Sequence, residues 1–306
     1  MRIIGPCIKL IITIYQRVLI FSGLFFLNTM KKNQKIAIQG NLWSFHHVVA
    51  KKYYKTNFGL VVCETFDDIV KVLLNDTADQ AVMAIENSIA GSIISNYALI
   101  DKNELDIIGE YSLSINHQLM ALPGQNIEDI KEVHSHPMAL LQCKDFFHQY
   151  PNIRLVEAED TADEAKRISE NKLHGIGAIA SQEAADFYGM QILASSIQTI
   201  INNVTRFVII QNSGQLIAKE SINKAALKFK LDHQRGSLAA VLNVMSDCQL
   251  NLTKIQSLPV IKTPGKYAFF VDVTFENFTH YEKARKLISI MASEFKILGE
   301  YCQHQI

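Results

Sequence analysis

The sequence lacks an excess of charge of either sign, and it lacks closely spaced cysteines. Thirty basic and thirty acidic residues give a formal net charge of zero, so the composition does not indicate a nucleic acid partner. The five cysteines are scattered, odd in number and never spaced as Cys-x-x-Cys, which argues against a disulfide framework or a zinc site. This cysteine usage fits a reducing compartment, and we expect a cytoplasmic protein.

A metal-ligand pattern is missing as well. His46 and His47 are adjacent, but no third ligand lies at a useful spacing from them. A metal site needs at least three protein ligands in a defined geometry. We therefore expect no bound metal.

The first 33 residues differ from the rest of the chain. Residues 8–27 are mostly apolar and long enough for a signal anchor or a single membrane span. Arg17 near the centre of this stretch costs about 2.5–3.5 kcal/mol on insertion scales. Met30 begins a polar run just before the first predicted strand. We favour an apolar N-terminal extension over residues 1–33, outside the fold, and its membrane association stays an open alternative.

The remaining chain is long enough for about two domains. Short apolar strands alternate with amphipathic helices in its first part. Strands are predicted at 35–39, 60–62 and 81–85, and helices at 45–55 and 67–74. This alternation is typical of a parallel α/β sheet.

Three predicted strands begin or end at clusters of small polar side chains. The clusters are Glu86-Asn87-Ser88, Ser135-His136-Pro137 and Asn202-Asn203-Val204-Thr205-Arg206. Where such a cluster precedes a helix, the first N–H groups of that helix can face an anion. Together the clusters suit a small ligand that carries carboxylates.

The C-terminal part, residues 224–306, has the element order βαββαβ. Strands are predicted at 225–231, 252–257, 267–275 and 295–302, and helices begin at Gly236 and Thr279. This order is the ferredoxin-like unit. Because many functions use that unit, the order by itself does not indicate regulation.

These motifs, in this order, resemble the prephenate dehydratase family with a C-terminal ACT regulatory domain. The matching segments are 86–88, 135–143, 177–181, 205–207, 236–238 and 250–259, within a resemblance that runs from about Lys35 to Cys302. The resemblance implies a catalytic region of two α/β lobes, similar to periplasmic binding proteins, at residues 34–213. Lobe 1 is expected at about 34–108 and 196–213, and lobe 2 at about 109–195. The ACT domain is expected at 224–306.

The resemblance also implies a reaction. Prephenate loses carbon dioxide and its ring hydroxyl, giving phenylpyruvate and water. Aromatisation drives this step, so no cofactor is expected. Two close alternatives remain: arogenate dehydratase, whose substrate carries an amine in place of the ketone, and a two-lobed ligand-binding protein with impaired catalysis.

Residue roles follow from the same resemblance. The expected catalytic residues are Thr205, Arg206, Asn203, Asn87 and Ser88, and the expected substrate-binding residues are Glu86, Ser44, Ser135 and His136. Thr205 matches the family residue regarded as essential and would donate to the departing hydroxyl. Arg206 offers a planar fork for a carboxylate.

Each role has a plainer alternative. Thr205 is β-branched and suits any strand, and Arg206 can point to solvent. Glu86 can cap a helix or pair with Arg206, which we favour over direct acid catalysis. Ser135 and His136 can serve only as helix caps, with Pro137 in the first turn.

Two segments depart from the family pattern. Trp43 replaces the second glycine of a glycine-rich first turn that begins at Gly40. Glycine lets another part of the backbone approach closely, and tryptophan does not. We therefore expect Trp43 to narrow the cleft or displace the turn. If it crowds the cleft, Trp43→Gly should raise activity. Gln256 and Leu258 stand where family members often carry Glu and Arg, which removes two charges from the effector region.

The expected effector is L-phenylalanine, bound where two ACT domains pair side by side. The expected effector-binding residues are Gly236, Ser237, Leu238, Asn251, Leu252, Ser257, Leu258 and Pro259. Leu238 and Leu258 would supply an apolar wall for the phenyl ring. A homodimer or homotetramer is expected as a consequence.

Overall fold

The computed structural model describes residues 34–212, 221–232, 234–259 and 266–303. The apolar N-terminal segment at residues 1–33 lies outside the described residues, and so do residues 213–220 of the predicted linker. None of the described helices combines the length and the hydropathy that a membrane span requires.

The first sheet begins with the predicted alternation of strands and helices, which is confirmed. β1 (Lys35–Gln39) lies between β2 (Gly59–Cys63) and β3 (Gln80–Asn87) and pairs with both in parallel. The crossovers are α1 (Phe45–Tyr54) and α2 (Phe66–Leu74), and each begins at a hydroxyl side chain that accepts a first-turn N–H. Because the strands are parallel, the polar residues after β1 and at the end of β3 lie at the same edge of the sheet.

A second sheet of five strands forms the other half of the two-lobed region. Three elements come between β3 and this sheet: β4 (Gly91–Ser92), α3 (Ile94–Lys102) and β5 (Asp106–Ser114). The five strands are β6 (Gln118–Ala121), β7 (Glu132–Ser135), β8 (Arg154–Glu157), β9 (Ile176–Ala180) and β10 (Gln191–Ala194). The helices that connect them are α4 (Pro137–Gln142), α5 (Lys144–Phe147), α6 (Thr161–Asn171) and α7 (Gln182–Tyr188). The strand order is β10-β6-β9-β7-β8. A short 3₁₀ turn, Ile127–Asp129, precedes β7.

The chain then returns to the first sheet. β11 (Val204–Gln211) lies between β3 and β5 and is antiparallel to both. The lobe boundary predicted near residue 109 is therefore wrong, because β5 pairs with β11 through Ser114 and belongs to the first sheet. The strand's own residues carry no signal of which sheet it joins, since that depends on a partner about a hundred residues later in the chain.

The C-terminal domain has the predicted βαββαβ order. Its elements are β12 (Lys224–Leu231), α8 (Ser237–Asp247), β13 (Asn251–Pro259), β14 (Tyr267–Thr274), α9 (Phe278–Met291) and β15 (Glu294–Tyr301). The four strands are antiparallel in the order β13-β14-β12-β15. Both helices pack on one face of this sheet over a core that includes Phe229, Val241 and Tyr281.

The other face of the C-terminal sheet packs against lobe 1. Met83 and Ile85 of β3 share one apolar core with Ala226 and Phe270 of the C-terminal strands. The two sheets also meet edge to edge, where Gly299 of β15 pairs in parallel with Ile107 of β5. The strands of lobe 1 and of the C-terminal domain thus form one continuous sheet of ten strands.

Gly299 permits this edge contact. A Cβ atom at Gly299 would lie 2.1 Å from the carbonyl oxygen of Ile107, a separation that real side chains do not reach. We predict that Gly299→Ala separates β15 from β5 and lowers the free energy of unfolding by about 1–3 kcal/mol, the usual cost of overpacking. Chemical denaturation checks this prediction, and unchanged stability would show that the two edges do not meet.

Candidate active site

A cleft of about 290 Å³ lies between the two lobes. Lobe 1 and the segment that crosses to lobe 2 contribute Gln39, Ser44, Phe45, His46, Ala84, Asn87, Ala90, Ile93, Ile115, Thr205 and Phe207; lobe 2 contributes His117, His136, Met138, Ala139, Gln142, Glu159, Asp160 and Thr161. The lining therefore combines aromatic and aliphatic side chains with amides, hydroxyls and imidazoles.

Thr205 and Asn87 are register partners on β11 and β3, and both line the cleft. The Asn87 Nδ2 donates to Thr205 Oγ1 at 2.8 Å and to Asn203 Oδ1 at 2.7 Å. The Asn87 Oδ1 accepts the N–H groups of Ile89 and Ala90, each at 2.9 Å, which fixes the orientation of the amide. Thr205 Oγ1 accepts from Asn87, and no described residue accepts the proton of the Thr205 hydroxyl. That proton is therefore available to a ligand in the cleft.

A chain of amides extends this pair into lobe 2. Asn203 Nδ2 donates to Gln142 Oε1 at 2.9 Å, and His117 Nε2 lies 2.9 Å from the same oxygen. An amide oxygen only accepts, so Nε2 of His117 carries the proton. The Nδ1 of His117 has no hydrogen-bond partner among the described residues. Burial lowers the pKa of His117 despite the Gln142 contact, which keeps the imidazole neutral.

Three residues at helix starts line the cleft. Ser44 caps α1, and Asp160 caps α6 by accepting from the N–H groups of Ala162 and Asp163. His136 caps α4 with its Nδ1 at 3.2 Å from the Met138 nitrogen. Among the described lining residues none is Lys or Arg. An anion in this cleft would therefore be held by helix N-termini and neutral donors.

Asp160 is the acidic group most affected by this environment. Burial, reinforced by the charge of Asp163, raises the pKa of Asp160 from 3.8 to about 6 even though two backbone N–H groups favour its ionised form. A Cβ atom at Gly40 would lie 2.6 Å from the Asp160 Oδ2. Because glycine has no Cβ atom, the Asp160 carboxyl can lie against the first turn of lobe 1.

Arg206 does not face the cleft, so the prediction that it binds a substrate carboxylate is contradicted. It follows Thr205 on β11, and consecutive strand residues point to opposite faces of a sheet. Its guanidinium contacts Glu86, Glu110 and Asp272 at 3.1, 3.1 and 2.6 Å. The alternative pairing with Glu86 is confirmed, and Glu86 is accordingly absent from the cleft lining.

Two further predicted site residues have structural contacts outside the cleft lining. The Ser88 hydroxyl donates to the Asn202 carbonyl at 3.1 Å and accepts the Val204 N–H at 2.9 Å, so it closes the loop beside the site. The Ser135 hydroxyl is fully buried and donates to the Ile179 carbonyl at 2.7 Å. The predictions of substrate contact at these two serines are not supported by their positions.

Trp43 does not narrow the cleft, so the crowding prediction is contradicted. It adopts φ 68°, the left-handed conformation for which glycine is suited. Its indole packs against His47 of lobe 1 and Phe187 of lobe 2, at centroid distances of 4.9 and 5.4 Å. The Trp43 carbonyl accepts from Ser181 at 3.1 Å. The tryptophan therefore joins the two lobes beside the cleft.

Sequence reasoning missed Gln142, His117 and Asp160 as cleft residues. Gln142 lay in a recognised segment, yet its contact with Asn203 spans 61 residues. His117 stands in a segment with no local motif, and Asp160 carries only the signal of a helix N-cap. Their roles depend on which loops the two sheets bring together, and no spacing in the chain encodes that directly.

The predicted effector residues divide between two faces of the C-terminal sheet. Leu238 packs in the core beneath the helices, whereas Leu258 packs against the core shared with lobe 1. Within one chain, therefore, Leu238 and Leu258 cannot form a single wall. Asn251, Ser257 and Pro259 are exposed along the edge strand β13. Leu252 contacts the helix-side core, and Gly236 caps α8 with φ 84°.

A smaller cavity of about 160 Å³ lies beside the start of α8. It is lined by Leu231, Asp232, Gln234, Ser237, Leu238, Tyr267 and Phe269. Two predicted effector residues, Ser237 and Leu238, therefore line a cavity. No group of three metal-ligating side chains is present in the part of the chain that the structure describes.

The raised pKa of Asp160 predicts a pH-dependent stability difference. The folded carboxyl holds its proton up to about pH 6, while the unfolded carboxyl releases it near pH 3.8. Wild-type stability therefore falls as pH rises between these values, by up to about 3 kcal/mol. Asp160→Asn keeps an oxygen for the helix cap and has no charge to bury.

The stability advantage of Asp160→Asn should grow from pH 4 to pH 6 and stay constant above it. Thermal unfolding across this range is the measurement. Parallel pH profiles for the two proteins would show that Asp160 titrates normally.

Comparisons with known proteins identify the family of this chain. Residues 36–215 match the sequence model of the family described as prephenate dehydratase. The arogenate dehydratase/prephenate dehydratase 2 of Arabidopsis thaliana is 36% identical over 279 residues, covering 87% of this chain and 72% of that protein. The bifunctional chorismate mutase/prephenate dehydratase of Buchnera aphidicola is 31% identical, covering 86% and 69%.

Solved structures show the same fold. The prephenate dehydratase of Arthrobacter aurescens in complex with L-Phe superposes with a TM-score of 0.78 at 24% identity, covering 88% of this chain and 89% of that chain. GqqA, described as a novel type of quorum quenching acylase, gives a TM-score of 0.78 at 26% identity, covering 89% and 98%. The family match spans more than half of this chain, and the Arabidopsis relative exceeds 30% identity: the chain belongs to the prephenate dehydratase family.

Proposed function

We propose that this chain converts prephenate to phenylpyruvate, as a carbon–oxygen lyase without a cofactor. The observation that carries the proposal is the Thr205 hydroxyl, which lines the cleft and accepts from Asn87, leaving its proton for a ligand. In the reaction the ring carboxylate leaves as carbon dioxide, and its electron pair enters the ring. The C–O bond at the opposite ring carbon breaks, and the departing hydroxide takes up a proton to become water.

Thr205 would act on the departing hydroxyl. A hydrogen bond aimed at that oxygen stabilises the negative charge that develops as the C–O bond lengthens. Asn87 holds the threonine rotamer through its 2.8 Å bond and is itself fixed by two backbone N–H groups. The donor is thus oriented before the substrate arrives, which reduces reorganisation in the transition state.

The rest of the cleft suits the two ends of the substrate. Phe45 and Phe207 supply an aromatic wall for the ring. The helix start at Ser44 offers partial positive charge to a carboxylate. Because the described lining residues include neither Lys nor Arg, binding would be distributed over several weak contacts, which favours product release.

Arogenate is the second candidate substrate. Glu159 and Asp160 line the cleft, and a carboxylate there suits the ammonium of arogenate better than the ketone of prephenate. The relatives also carry both names. The values of kcat/KM for prephenate and for arogenate decide which is the better substrate. Asp160→Asn should lower kcat/KM more for arogenate than for prephenate.

The substitution Thr205→Ala tests the proposed chemistry. Loss of a positioned donor should lower kcat by about 10²–10⁴-fold while the fold stays intact. Thr205→Ser keeps the hydroxyl and serves as the matched control, with most of the turnover retained. Formation of phenylpyruvate from prephenate is the assay, and near-native turnover by Thr205→Ala would remove Thr205 from the mechanism.

We also propose that L-phenylalanine binds the C-terminal domain, which we assign as an ACT domain, and inhibits the enzyme. Leu238 of α8 packs on one side of the C-terminal sheet and Leu258 of β13 packs on the other, so a phenyl ring that touches both must lie between two chains. The proposal therefore requires at least a dimer. Linkage also requires prephenate to weaken phenylalanine binding by the same factor as phenylalanine weakens prephenate binding.

Calorimetry with the full chain tests the regulatory proposal. Phenylalanine should bind, and saturating prephenate should weaken that binding. Absence of binding would contradict the effector assignment, whereas binding unaffected by prephenate would leave the site in place and contradict inhibition through it.

A further inference from the structure

The strand pair β3–β11 presents one register pair to the cleft and the next pair to the C-terminal domain. Thr205 opposite Asn87 lines the cleft, and Arg206 opposite Glu86 lies on the reverse face. Because each pair is one peptide bond from the other, a shift of Arg206 and Glu86 displaces the backbone that carries Thr205 and Asn87.

Two residues of the C-terminal domain hold the reverse pair. Asp272 of β14 contacts the Arg206 Nη2 at 2.6 Å. Lys254 of β13 contacts Glu86 at 3.0 Å, and its ammonium lies 4.7 Å from the ring centre of Tyr97. Tyr97 in turn accepts from the Arg206 guanidinium at 3.0 Å. The C-terminal domain therefore touches both members of the pair.

The charges of this cluster balance. Arg206, Lys254 and Lys224 supply three cations, and Glu86, Glu110 and Asp272 supply three carboxylates. The side chains of Asp272 and Glu110 are each only 4% exposed. Buried charges are costly without a partner, so removal of one member forces the others to rearrange.

The pKa shifts of Arg206 and Glu86 agree with this coupling, whereas burial lowers the pKa of Lys254 despite its contact with Glu86. Burial would lower the pKa of Arg206, yet the nearby charges, of which Asp272 has the largest effect, together outweigh burial and hold the pKa well above its usual value. Burial would raise the pKa of Glu86, but contacts with Lys254 and Arg206 hold it below its usual value. Both groups stay charged while they depend on residues of the C-terminal domain.

We propose that Asp272 and Lys254 are positioning residues for catalysis, acting from the C-terminal domain through Arg206 and Glu86 on Thr205 and Asn87. This inference rests on the proposed function of Thr205. It makes the C-terminal domain a part of the active-site support, so a movement of that domain alters turnover through this one strand pair.

A second ion cluster at the same interface provides a matched control. Asp101 of lobe 1 contacts Lys228 at 2.6 Å and Lys296 at 3.2 Å, both in the C-terminal domain. Lys228 also contacts Glu294 at 2.8 Å. Loss of charge at Asp101 weakens the same interface, yet Asp101 contacts neither β3 nor β11 through its ion pairs.

The experiment compares Asp272→Asn with Asp101→Asn. Asp272→Asn should lower kcat by about tenfold with KM within about twofold of wild type, since small misplacements of reacting groups have effects of this size. Asp101→Asn should lower thermal stability and leave kcat unchanged. Equal kcat for Asp272→Asn and wild type, or equal losses in both variants, would overturn the proposal.

Lys254 gives a test by conservative rescue. Lys254→Met should reproduce the loss of kcat, and Lys254→Arg should restore it because the positive charge beside Glu86 returns. If arginine fails to restore turnover, or methionine leaves it unchanged, the charge at this position does not position the site.

Hydrogen exchange separates this inference from the proposed activity. The amides of Ile89 and Ala90 bond to Asn87 Oδ1, so they report the position of Asn87 without any substrate. Asp272→Asn should accelerate exchange of the peptide that contains these amides, and Asp101→Asn should not. If the wild-type protein forms no product, the proposed function fails, and the exchange rates still test whether Asp272 positions Asn87. Unaltered exchange in Asp272→Asn would overturn that positioning role.

Discussion

The pairing of β3 with β11 is the contact on which the rest of the molecule depends. β11 reaches lobe 1 only after the chain has built the whole of lobe 2, and it inserts between β3 and β5 in antiparallel register. This return anchors the end of lobe 2 to the sheet of lobe 1. It also places Thr205 opposite Asn87 and Arg206 opposite Glu86, so a single register determines both faces.

The two faces have different electrostatics because they have different neighbours. The cleft face carries neutral amides, a hydroxyl and a neutral imidazole, all joined by hydrogen bonds from Asn87 to His117. The reverse face carries three cations and three carboxylates, packed against the C-terminal sheet. The cations are thereby kept on the reverse face, and the described lining of the cleft contains neither Lys nor Arg.

The sequence predicted the element order well because hydrophobic periodicity is local. The strand–helix alternation of lobe 1 and the βαββαβ unit both appear where the patterns indicated them. It predicted Thr205, Asn87, Asn203, Ser44 and His136 as residues that lie in or border the cleft. It misplaced Arg206, since adjacency in a motif suggested a shared role while strand alternation sends neighbours to opposite faces. The prediction for Trp43 was also wrong. Its backbone is in the left-handed conformation, and its indole packs against Phe187 instead of lying in the cleft.

A crystal structure of the wild-type chain with phenylpyruvate tests the central claim most directly, because it shows which face of β11 contacts the ligand. The account predicts ligand oxygens within hydrogen-bond distance of Thr205 or the amide chain, and near the helix start at Ser44. Arg206 should keep its contact with Asp272. A ligand carboxylate bound by Arg206, with Asp272 displaced, would contradict the division of β11 into a substrate face and a supporting face.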